Sequence, residues 1–355
     1  MGVFSATRWI TVKTFKETTP RRHRSLQSAS SSVKKAIRSI LLLAVSMIFA
    51  TAPQGCGRQD EPRKVNLEPP GAVSRPATGA VSAAAAVAPS AGARRLRVAI
   101  AAMVSPKETF VSYSNLVNYI GKKMGMEVEL VQRKDYEEVN ALLEKNLLDV
   151  AFVCTGAYVA GHDDFGMEIL VAPVTQGRTV YYSYVIVPVG SPVHSFEELE
   201  GRTFAFTDPL SNTGRLAPAF YLAQMRQTPD RFFKSTVYTY SHDRSIESVA
   251  KKLVDGAAVD SLVWDYMNRK NPELTSRTRI ISKSDPYGIP PFVVSRAVGP
   301  EMKNRLRDVF LKAHEDREGR EILAGIMIDK FVVVDDGIYD SVRAMRRWVD
   351  KNAVK

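Results

Sequence analysis

The sequence predicts an α/β protein of two lobes joined by a two-strand hinge. Strand-like and helix-like segments alternate from residue 94 onward, and they fall into two separate series. A final, mostly helical segment then returns towards the first series, so the chain crosses between the lobes twice. Strands that alternate with helices are typical of βαβ units with a mostly parallel sheet, and right-handed crossovers place helices on both faces.

The two series define the predicted lobes, which are residues 94–182 with 286–355 and residues 183–285. In the first series the predicted strands are 96–102, 127–132 and 149–153, and the predicted helices are 112–124 and 136–146. In the second, the strands are 182–187, 203–206, 237–240, 257–262 and 279–282, and the helices are 193–200, 214–225 and 245–254. The final segment contains a turn-rich connector at 286–291, a strand at 292–295, and helices at 300–315, 320–325 and 337–352. Ligands of such sheets bind beyond the carboxyl ends of the strands, here in the cleft between the lobes.

The first 55 residues have the features of an export signal. Lys34, Lys35 and Arg38 precede an uncharged stretch, residues 40–52. The length of this stretch fits the apolar region of a signal peptide and is short for a membrane span. We therefore expect residues 1–55 to be a signal peptide and the protein to be exported.

Cys56 follows the apolar stretch and is the expected site of lipidation. The small residue Gly55 directly precedes this cysteine, an arrangement that resembles a bacterial lipobox. Pro53 departs from that pattern, which has an aliphatic residue at this position. The alternative is ordinary cleavage near Ala50 or Ala52, with Cys56 unmodified.

Residues 56–93 are predicted to be a flexible linker from the lipid anchor. The stretch 71–93 is almost entirely Ala, Gly, Pro, Ser and Val, and it has no periodic apolar face. Such a composition buries too little surface to offset the entropy of ordering. A linker after an anchoring cysteine lets a globular body reach a partner in the membrane.

The distribution of charge argues against nucleic-acid binding. The net charge of +11 is of the kind that favours nucleic acids or membrane surfaces. Residues 1–55, however, hold nine of the 49 basic residues and one of the 38 acidic residues. The remaining residues carry 40 basic and 37 acidic side chains, so the surplus belongs to the leader. We expect no nucleic-acid partner.

The sequence also lacks the patterns of an enzyme or a metal centre. It contains no GxSxG, Walker or GxGxxG spacing, and its five histidines form no pair at i, i+4. Its two cysteines, Cys56 and Cys154, form no CxxC motif or disulfide framework. We therefore expect a monomeric binding protein without catalytic residues, cofactor or metal.

The most informative segment is 206–216, where a strand ends and Ser211, Asn212, Thr213 and Gly214 open a helix. Free backbone N–H groups and the positive end of the helix dipole meet there, and hydroxyl side chains add donors. Such a helix N-terminus suits a tetrahedral oxyanion. The alternative is plain helix capping, because Ser, Asn and Thr are common N-cap residues whatever the function.

Polar residues also follow three other predicted strands. His242 comes after one strand, Asp260 ends another, and Cys154, Thr155 and Tyr158 lie at a strand-to-helix junction of the first lobe. The carboxyl ends of these strands would face one cleft. His242 could donate to an anion, Tyr158 could add a hydroxyl from the opposite lobe, and Asp260 would suit a ligand amine or position a donor. Each also has an ordinary structural interpretation, as a helix cap, a core residue or a hydrogen-bond acceptor.

Three ordered blocks, 205–216, 240–243 and 256–261, resemble the phosphate/phosphite/phosphonate-binding proteins of ABC transporters, and the resemblance covers nearly all of residues 95–330. It implies a type II periplasmic-binding-protein-like fold and delivery of the ligand to a permease. It also implies that the phosphonate oxygens are held at the helix N-terminus. Residues implied to bind the ligand are Ser211, Asn212, Thr213, His242, Tyr158 and, for an aminated ligand, Asp260.

The chain departs from this family at Cys154 and Thr155, where many relatives carry other small residues. A related branch of sensor proteins binds arsenite through a cysteine in the cleft and signals to a membrane histidine kinase. The alternative function is therefore a sensory binding protein for phosphonate or arsenite. The ordinary interpretation of Cys154 is a small buried residue.

Overall fold

The structure, a computed structural model, describes residues 10–11 and 95–352. The predicted lipidation site, the linker and all but two residues of the predicted signal peptide lie outside the described residues. The described chain forms two six-stranded sheets and a short two-stranded ribbon, with helices packed around them.

The first sheet combines strands from both ends of the folded body. In order across the sheet its strands are β14 (Lys330–Val332), β5 (Glu168–Val174), β13 (Phe292–Val294), β4 (Val150–Phe152), β2 (Leu96–Ile100) and β3 (Val128–Val131). Strands β3, β2 and β4 are parallel, whereas β13 runs antiparallel to both β4 and β5. Strand β14 is antiparallel to β5.

The second sheet has the same mixed character. Its strands, in order, are β1 (Ile10–Thr11), β11 (Thr278–Lys283), β7 (Ser183–Pro188), β10 (Gly256–Asp260), β8 (Thr203–Phe206) and β9 (Ser235–Tyr238). Strands β10, β8 and β9 are parallel, and β7 runs antiparallel to β10 and β11. The carboxyl ends of the three parallel strands therefore lie at one edge of the sheet.

A ribbon of two short strands connects the sheets. Strand β6 (Val180–Tyr181) pairs antiparallel with β12 (Tyr287–Gly288). Strand β6 leads from the first sheet into β7, and β12 leads back from β11 to β13. The chain thus passes between the sheets twice through a two-strand hinge, as the sequence predicts.

Eleven α-helices lie within the described residues: α1 (Pro106–Met124), α2 (Tyr136–Glu144), α3 (Thr155–Phe165), α4 (Ala217–Gln224), α5 (Pro229–Phe232), α6 (His242–Ala250), α7 (Ser261–Lys270), α8 (Pro272–Thr275), α9 (Pro300–Lys312), α10 (Arg317–Gly325) and α11 (Asp340–Asn352). Carboxylates cap several of them, as at α2 and α10. No helix in this part of the chain is long and apolar enough to span a bilayer.

Aromatic side chains fill both sheet cores. In the first, Phe292 stacks on Phe152, with ring centroids 4.6 Å apart, and packs against Phe310 at the same distance. In the second, Phe204 stacks on Phe233 at 4.4 Å. Rings in these arrangements bury large apolar areas and add a favourable ring–ring term. Each sheet therefore has a core of its own.

The last helix, α11, packs against elements that lead from both sheets. It contacts α3, which follows β4, and α4, which follows β8. Trp348 of α11 meets Phe220 of α4 edge-on, with centroids 5.1 Å apart. The Arg343 guanidinium, also on α11, is buried and pairs with Asp336, Asp340 and Asp163. The C-terminal helix thus holds α3 and α4 together.

The structure corrects several predictions about secondary structure. The sheets are mixed rather than mostly parallel, because the strands next to the hinge enter and leave in antiparallel pairs. Strands β5 and β14 and helix α7 were not predicted. Only a 3₁₀ turn, Glu197–Leu199, forms where helix 193–200 was predicted. Helix α1 begins at Pro106 rather than residue 112, since proline suits the first turn of a helix.

Candidate functional site

The turn between β8 and α4, residues 207–214, contains the start of a helix, where backbone N–H groups have no partner within the helix. The Ser211 hydroxyl caps the helix start by accepting from the Gly214 N–H at 3.0 Å. The first turn is π-helical, since the Leu216 N–H donates to the Ser211 carbonyl five residues earlier. The Ser211, Asn212 and Thr213 side chains are fully buried. The start of this helix is therefore shielded from solvent.

Gly214 is required by close packing inside this turn. A Cβ atom there would lie 2.4 Å from the Thr207 hydroxyl oxygen and 3.0 Å from the His242 ring. The Thr207 N–H also donates to the Gly214 carbonyl at 3.1 Å. The end of β8 and the start of the helix are thus held against His242.

His242 has a defined tautomer. Its Nδ1 accepts from the Asp260 backbone N–H at 3.0 Å, so the ring proton lies on Nε2. Nε2 lies 3.5 Å from the Ser211 hydroxyl oxygen. Burial lowers the pKa of His242 to about 3, so the ring is neutral at pH 7. His242 therefore presents a neutral N–H donor beside the helix start.

Two carboxyl groups lie near the same turn. Asp260 caps α7 by accepting from the Leu262 N–H at 2.7 Å, and burial raises its pKa to about 7. Asp208 accepts from the Leu210 N–H at 2.8 Å and from the Tyr136 N–H at 3.2 Å, and burial raises its pKa to about 6. Because Tyr136 begins α2 of the first lobe, Asp208 bonds across the cleft.

The starts of α3 and of the 212–224 helix meet face to face. A Cβ atom on Gly156 would lie 2.3 Å from the Leu210 carbonyl oxygen and 2.8 Å from the Asn212 nitrogen. The backbone N–H groups of Asn212 and Gly156 lower the pKa of the Cys154 thiol, but burial outweighs them and raises it to about 11. The thiol is therefore neutral at pH 7 and unreactive compared with an exposed cysteine.

Several buried polar atoms around this junction have no partner among the described residues. They are the Tyr136 hydroxyl, the Thr213 hydroxyl, the Ser241 hydroxyl and the Asn212 Oδ1. The Asn212 amide donates to the Tyr181 hydroxyl at 3.1 Å. In the opposite amide orientation the Tyr181 hydroxyl would donate to the Asn212 oxygen, and the NH₂ would take the unpaired position of Oδ1. Unpaired buried polar groups are costly and are typical of a site that a ligand completes.

Two of the predicted residues, Tyr158 and Thr155, have their hydroxyl groups bonded to other parts of the protein. The Tyr158 hydroxyl is 2.5 Å from the Asp336 carboxylate, and its ring packs on Tyr339, beneath α11. The Thr155 hydroxyl donates to the Gly288 carbonyl at 2.8 Å in the hinge. The Tyr158 hydroxyl is thus paired away from the 207–214 turn, whereas the Thr155 side chain also lowers the pKa of Tyr181, whose hydroxyl bonds to Asn212 in that turn.

Two other tyrosines lie close to the turn. The Tyr136 pKa is raised far above its usual value by burial and by the neighbouring Cys154, Asp208 and Asp260. Tyr181 has similar neighbours. Tyr136 is the first residue of α2 and follows the N-cap Asp135, so its local sequence indicates only a helix start. Nothing in that sequence distinguishes it from a core tyrosine. Only the spatial meeting of the lobes brings it to the site.

A pocket with mostly apolar walls lies along α7. It is lined by residues of the first lobe such as Ile100, Phe152 and Pro290, and by α7 of the second lobe. Asp260 lies in its lining, and the backbone N–H of the same residue bonds to His242. Within the described residues, no group of His, Cys, Asp and Glu side chains could hold a metal ion.

Two α/β lobes joined by a two-strand hinge define the type II periplasmic-binding-protein fold. The family model described as "ABC transporter, phosphonate, periplasmic substrate-binding protein" matches residues 98–339, about two thirds of the chain. The chain belongs to this family. Its members are periplasmic, which implies a location outside the cytoplasm.

The names of two curated relatives refer to phosphonate binding and phosphate import. The chain is 24% identical over 239 residues to the phosphonates-binding periplasmic protein of Escherichia coli, with 66% of this chain and 70% of that protein covered. It is 28% identical over 252 residues to the phosphate-import protein PhnD of Mycolicibacterium smegmatis, with 65% and 78% covered. These relatives are binding proteins of transport systems rather than enzymes.

Solved structures support the fold. A binding protein component of an ABC phosphonate transporter from Pseudomonas aeruginosa superposes with a TM-score of 0.70 at 24% identity, covering 74% of this chain and 88% of that one. PhnD1 of Prochlorococcus marinus, in complex with methylphosphonate, gives a TM-score of 0.66 at 18% identity, covering 72% and 98%. At these identities the likeness establishes the fold alone.

The substitution Gly156→Ala tests the contact between the two helix starts. Since the added methyl would lie 2.3 Å from a backbone oxygen, we expect the lobes to separate and the radius of gyration to rise in small-angle X-ray scattering. Overpacking of this kind costs about 1–3 kcal/mol. Gly190→Ala is the control, because its Cβ would meet nothing within 4 Å. An unchanged radius of gyration would contradict the expectation.

Proposed function

We propose that the chain captures a small phosphorus oxyanion (phosphonate, phosphite or phosphate) at the 207–214 turn and delivers it to an ABC transporter. The observation that carries this proposal is the set of buried, unpartnered hydroxyls around a helix start, on Tyr136, Thr213 and Ser241. Hydroxyls donate readily to anionic oxygens, and a helix N-terminus favours negative charge. The family supports the same ligand class.

The donors named here are electrically neutral. They are the hydroxyls, the helical N–H groups and the Nε2–H of His242, whose pKa of about 3 keeps it uncharged. In a buried site such fixed dipoles interact strongly with a charged oxygen, because water does not screen them. Ser211, Asn212, Thr213, Gly214 and His242 are therefore proposed as ligand-binding residues.

Closure of the lobes would complete the site. The backbone N–H of His242 donates to the Met103 carbonyl at 2.9 Å. The Asp243 carboxylate accepts from the Ser105 backbone N–H at 2.9 Å. These bonds join a loop after β2 to the start of α6. A ligand whose contacts come from both sides favours the closed arrangement by its differential affinity for it.

We also propose that the two lobes comprise residues 94–182 with 286–355 and residues 183–285. Strands β7 to β11 belong to the second sheet, and β2 to β5 with β13 and β14 belong to the first. Thr155 and Tyr158 are proposed to act in support of the site, through the hinge and through α11, rather than by donating to the ligand.

A phosphorus oxyanion is proposed over arsenite as the ligand because of the state of Cys154. An arsenite ligand would need reactive thiolates, and this thiol is fully buried with a raised pKa. Its fully buried position, at the contact between the two helix starts, is consistent with a structural role. Cys154 is therefore proposed to border the oxyanion site as a neutral side chain.

The site proposal predicts that Ser211→Ala and Thr213→Ala weaken binding of methylphosphonate. Each lost hydrogen bond to a charged oxygen should cost about 1–3 kcal/mol. Isothermal titration calorimetry on the 94–355 body measures this, and Ser248→Ala, on the exposed face of α6, is the control. Equal affinity of all four proteins would rule out the helix start as the site. Failure of methylphosphonate, phosphite and phosphate alike to bind would sink the ligand class.

A second prediction concerns pH. Burial raises the pKa of Asp260 to about 7, so this group is protonated at pH 6 and ionised at pH 8. A bound anion favours the protonated form, so affinity for methylphosphonate should fall as pH rises through 7, by up to about tenfold per pH unit. In Asp260→Asn this contribution is lost, and the ratio of the two affinities cancels the titration of the ligand. A ratio that is constant from pH 6 to pH 8 would contradict the prediction.

The lipid anchor is also part of the proposal. We expect a radiolabelled fatty acid fed to cells to be incorporated into the protein, and Cys56→Ser to abolish the label and release the protein from membranes. Cys154→Ser is the matched control, since that cysteine is buried in the folded body. A label that survives Cys56→Ser would place any acylation elsewhere.

A further inference from the structure

Asn212 differs from the hydroxyl residues of the 207–214 turn because its side chain divides into a donor group and an acceptor group. The side chain is fully buried. Its Nδ2 donates to the Tyr181 hydroxyl at 3.1 Å, whereas its Oδ1 has no partner among the described residues. Since an unpaired buried amide group is costly, the orientation of this amide decides which kind of group the turn offers to a ligand.

Hydrogen bonds that reach into the hinge hold the amide in this orientation. The Thr155 hydroxyl donates its only proton to the Gly288 carbonyl at 2.8 Å. Burial raises the pKa of Tyr181, and a hydrogen bond with the Thr155 side chain opposes that shift. Because the Thr155 proton is already used, the Tyr181 hydroxyl supplies the proton of this second bond. Tyr181 then has no proton left for Asn212 and accepts from its NH₂ group.

The Asn212 oxygen is therefore left to a ligand as an acceptor, beside groups that donate. The hydroxyls of Tyr136, Thr213 and Ser241 are buried and unpartnered among the described residues, as this oxygen is. Tyr136 and Tyr181 are close enough to interact electrostatically. A hydroxyl can donate to an anionic oxygen, but an amide oxygen cannot. The turn and its neighbours thus combine several donors with an acceptor.

This combination suits a tetrahedral oxyanion that keeps one proton. A fully ionised phosphonate has only acceptor oxygens, so its contact with the Asn212 oxygen would leave both groups unpaired in a buried site. A phosphonate with one proton has a P–OH group that donates to this oxygen, and its other two oxygens accept from hydroxyls. His242 is neutral at pH 7 and supplies no positive charge to offset a second negative one.

Resting on the proposed function, we infer that the chain binds its phosphorus oxyanion as the monoanion, with the remaining P–OH proton donated to the Oδ1 of Asn212. Asn212 is then a specificity-determining residue. Tyr181 is a positioning residue, which keeps the amide in the accepting orientation, and Thr155 supports Tyr181 from the first lobe. A sulfonate has the same tetrahedral shape and a single charge but no proton, so the site rejects it.

A ligand pair that differs in this proton provides the test. Calorimetry at pH 6 on the purified protein compares methylphosphonate, which is mainly the monoanion at this pH, with methanesulfonate. The two ligands then have equal charge and similar shape. Methylphosphonate should bind about a hundredfold more tightly, because methanesulfonate sets an acceptor against the Asn212 oxygen and leaves both unpaired.

Tyr181→Phe tests the positioning role. Without the Tyr181 hydroxyl the amide of Asn212 can turn and present its NH₂ group to the ligand. Methanesulfonate should then bind about tenfold or more tightly than it does to the unaltered protein, and the preference for methylphosphonate should fall accordingly. A gain of affinity for one ligand does not arise from a loosened or partly unfolded site.

Thr155→Val reaches the same end from a second residue, so the test does not depend on the folding of one variant. It frees the Tyr181 proton to donate to the Asn212 oxygen, which turns the amide in the same direction. Tyr287→Phe is the matched control. It removes a hydroxyl from the other strand of the hinge ribbon, where that group lies 3.8 Å from the Met345 sulfur, so the preference should stay unchanged.

The outcomes separate this inference from the proposed function. Equal binding of methylphosphonate and methanesulfonate to the unaltered protein would overturn the monoanion assignment. A strong preference that persists in both Tyr181→Phe and Thr155→Val would assign the ligand proton to another acceptor and overturn the role of Asn212. Failure of methylphosphonate, phosphite and phosphate alike to bind would instead overturn the proposed function.

Discussion

The site depends on the contact between the starts of two helices, one from each lobe. Gly156 leaves room for the Leu210 carbonyl and the Asn212 nitrogen, and any side chain there would hold the lobes apart. This contact brings Cys154 against the Asn212 N–H and Tyr136 against Asp208. The polar interior exists only because these two backbone segments touch.

The interior is polar without strong positive charge. His242 is locked as a neutral donor, and the neighbouring carboxyl groups of Asp208 and Asp260 have raised pKa values. An anion bound there would be held by oriented dipoles whose positions are fixed by packing. At Gly214, for example, the Thr207 side chain leaves no room for a Cβ atom. Selectivity in such a site follows from shape and from the number of donors more than from net attraction.

The sequence predicted the architecture and part of the site for identifiable reasons. The turn at 211–214 and its neighbours His242 and Asp260 follow parallel strands, and the ends of such strands share an edge of the sheet. Tyr158 was expected at the site, but its hydroxyl bonds to Asp336, a partner 178 residues away. Tyr136 was not predicted, because its place depends on a contact between lobes that local periodicity does not encode.

The order of strands in the first sheet also bears on how the protein matures. Strands β13 and β14 and helix α11 complete the first lobe, yet they follow the whole second lobe in the chain. The first sheet therefore stays open until the whole second lobe has been synthesised, and the Phe152 ring lacks its stacking partner Phe292 until then. A polypeptide whose core is completed late stays unfolded for longer, and an unfolded chain can cross a membrane before it folds.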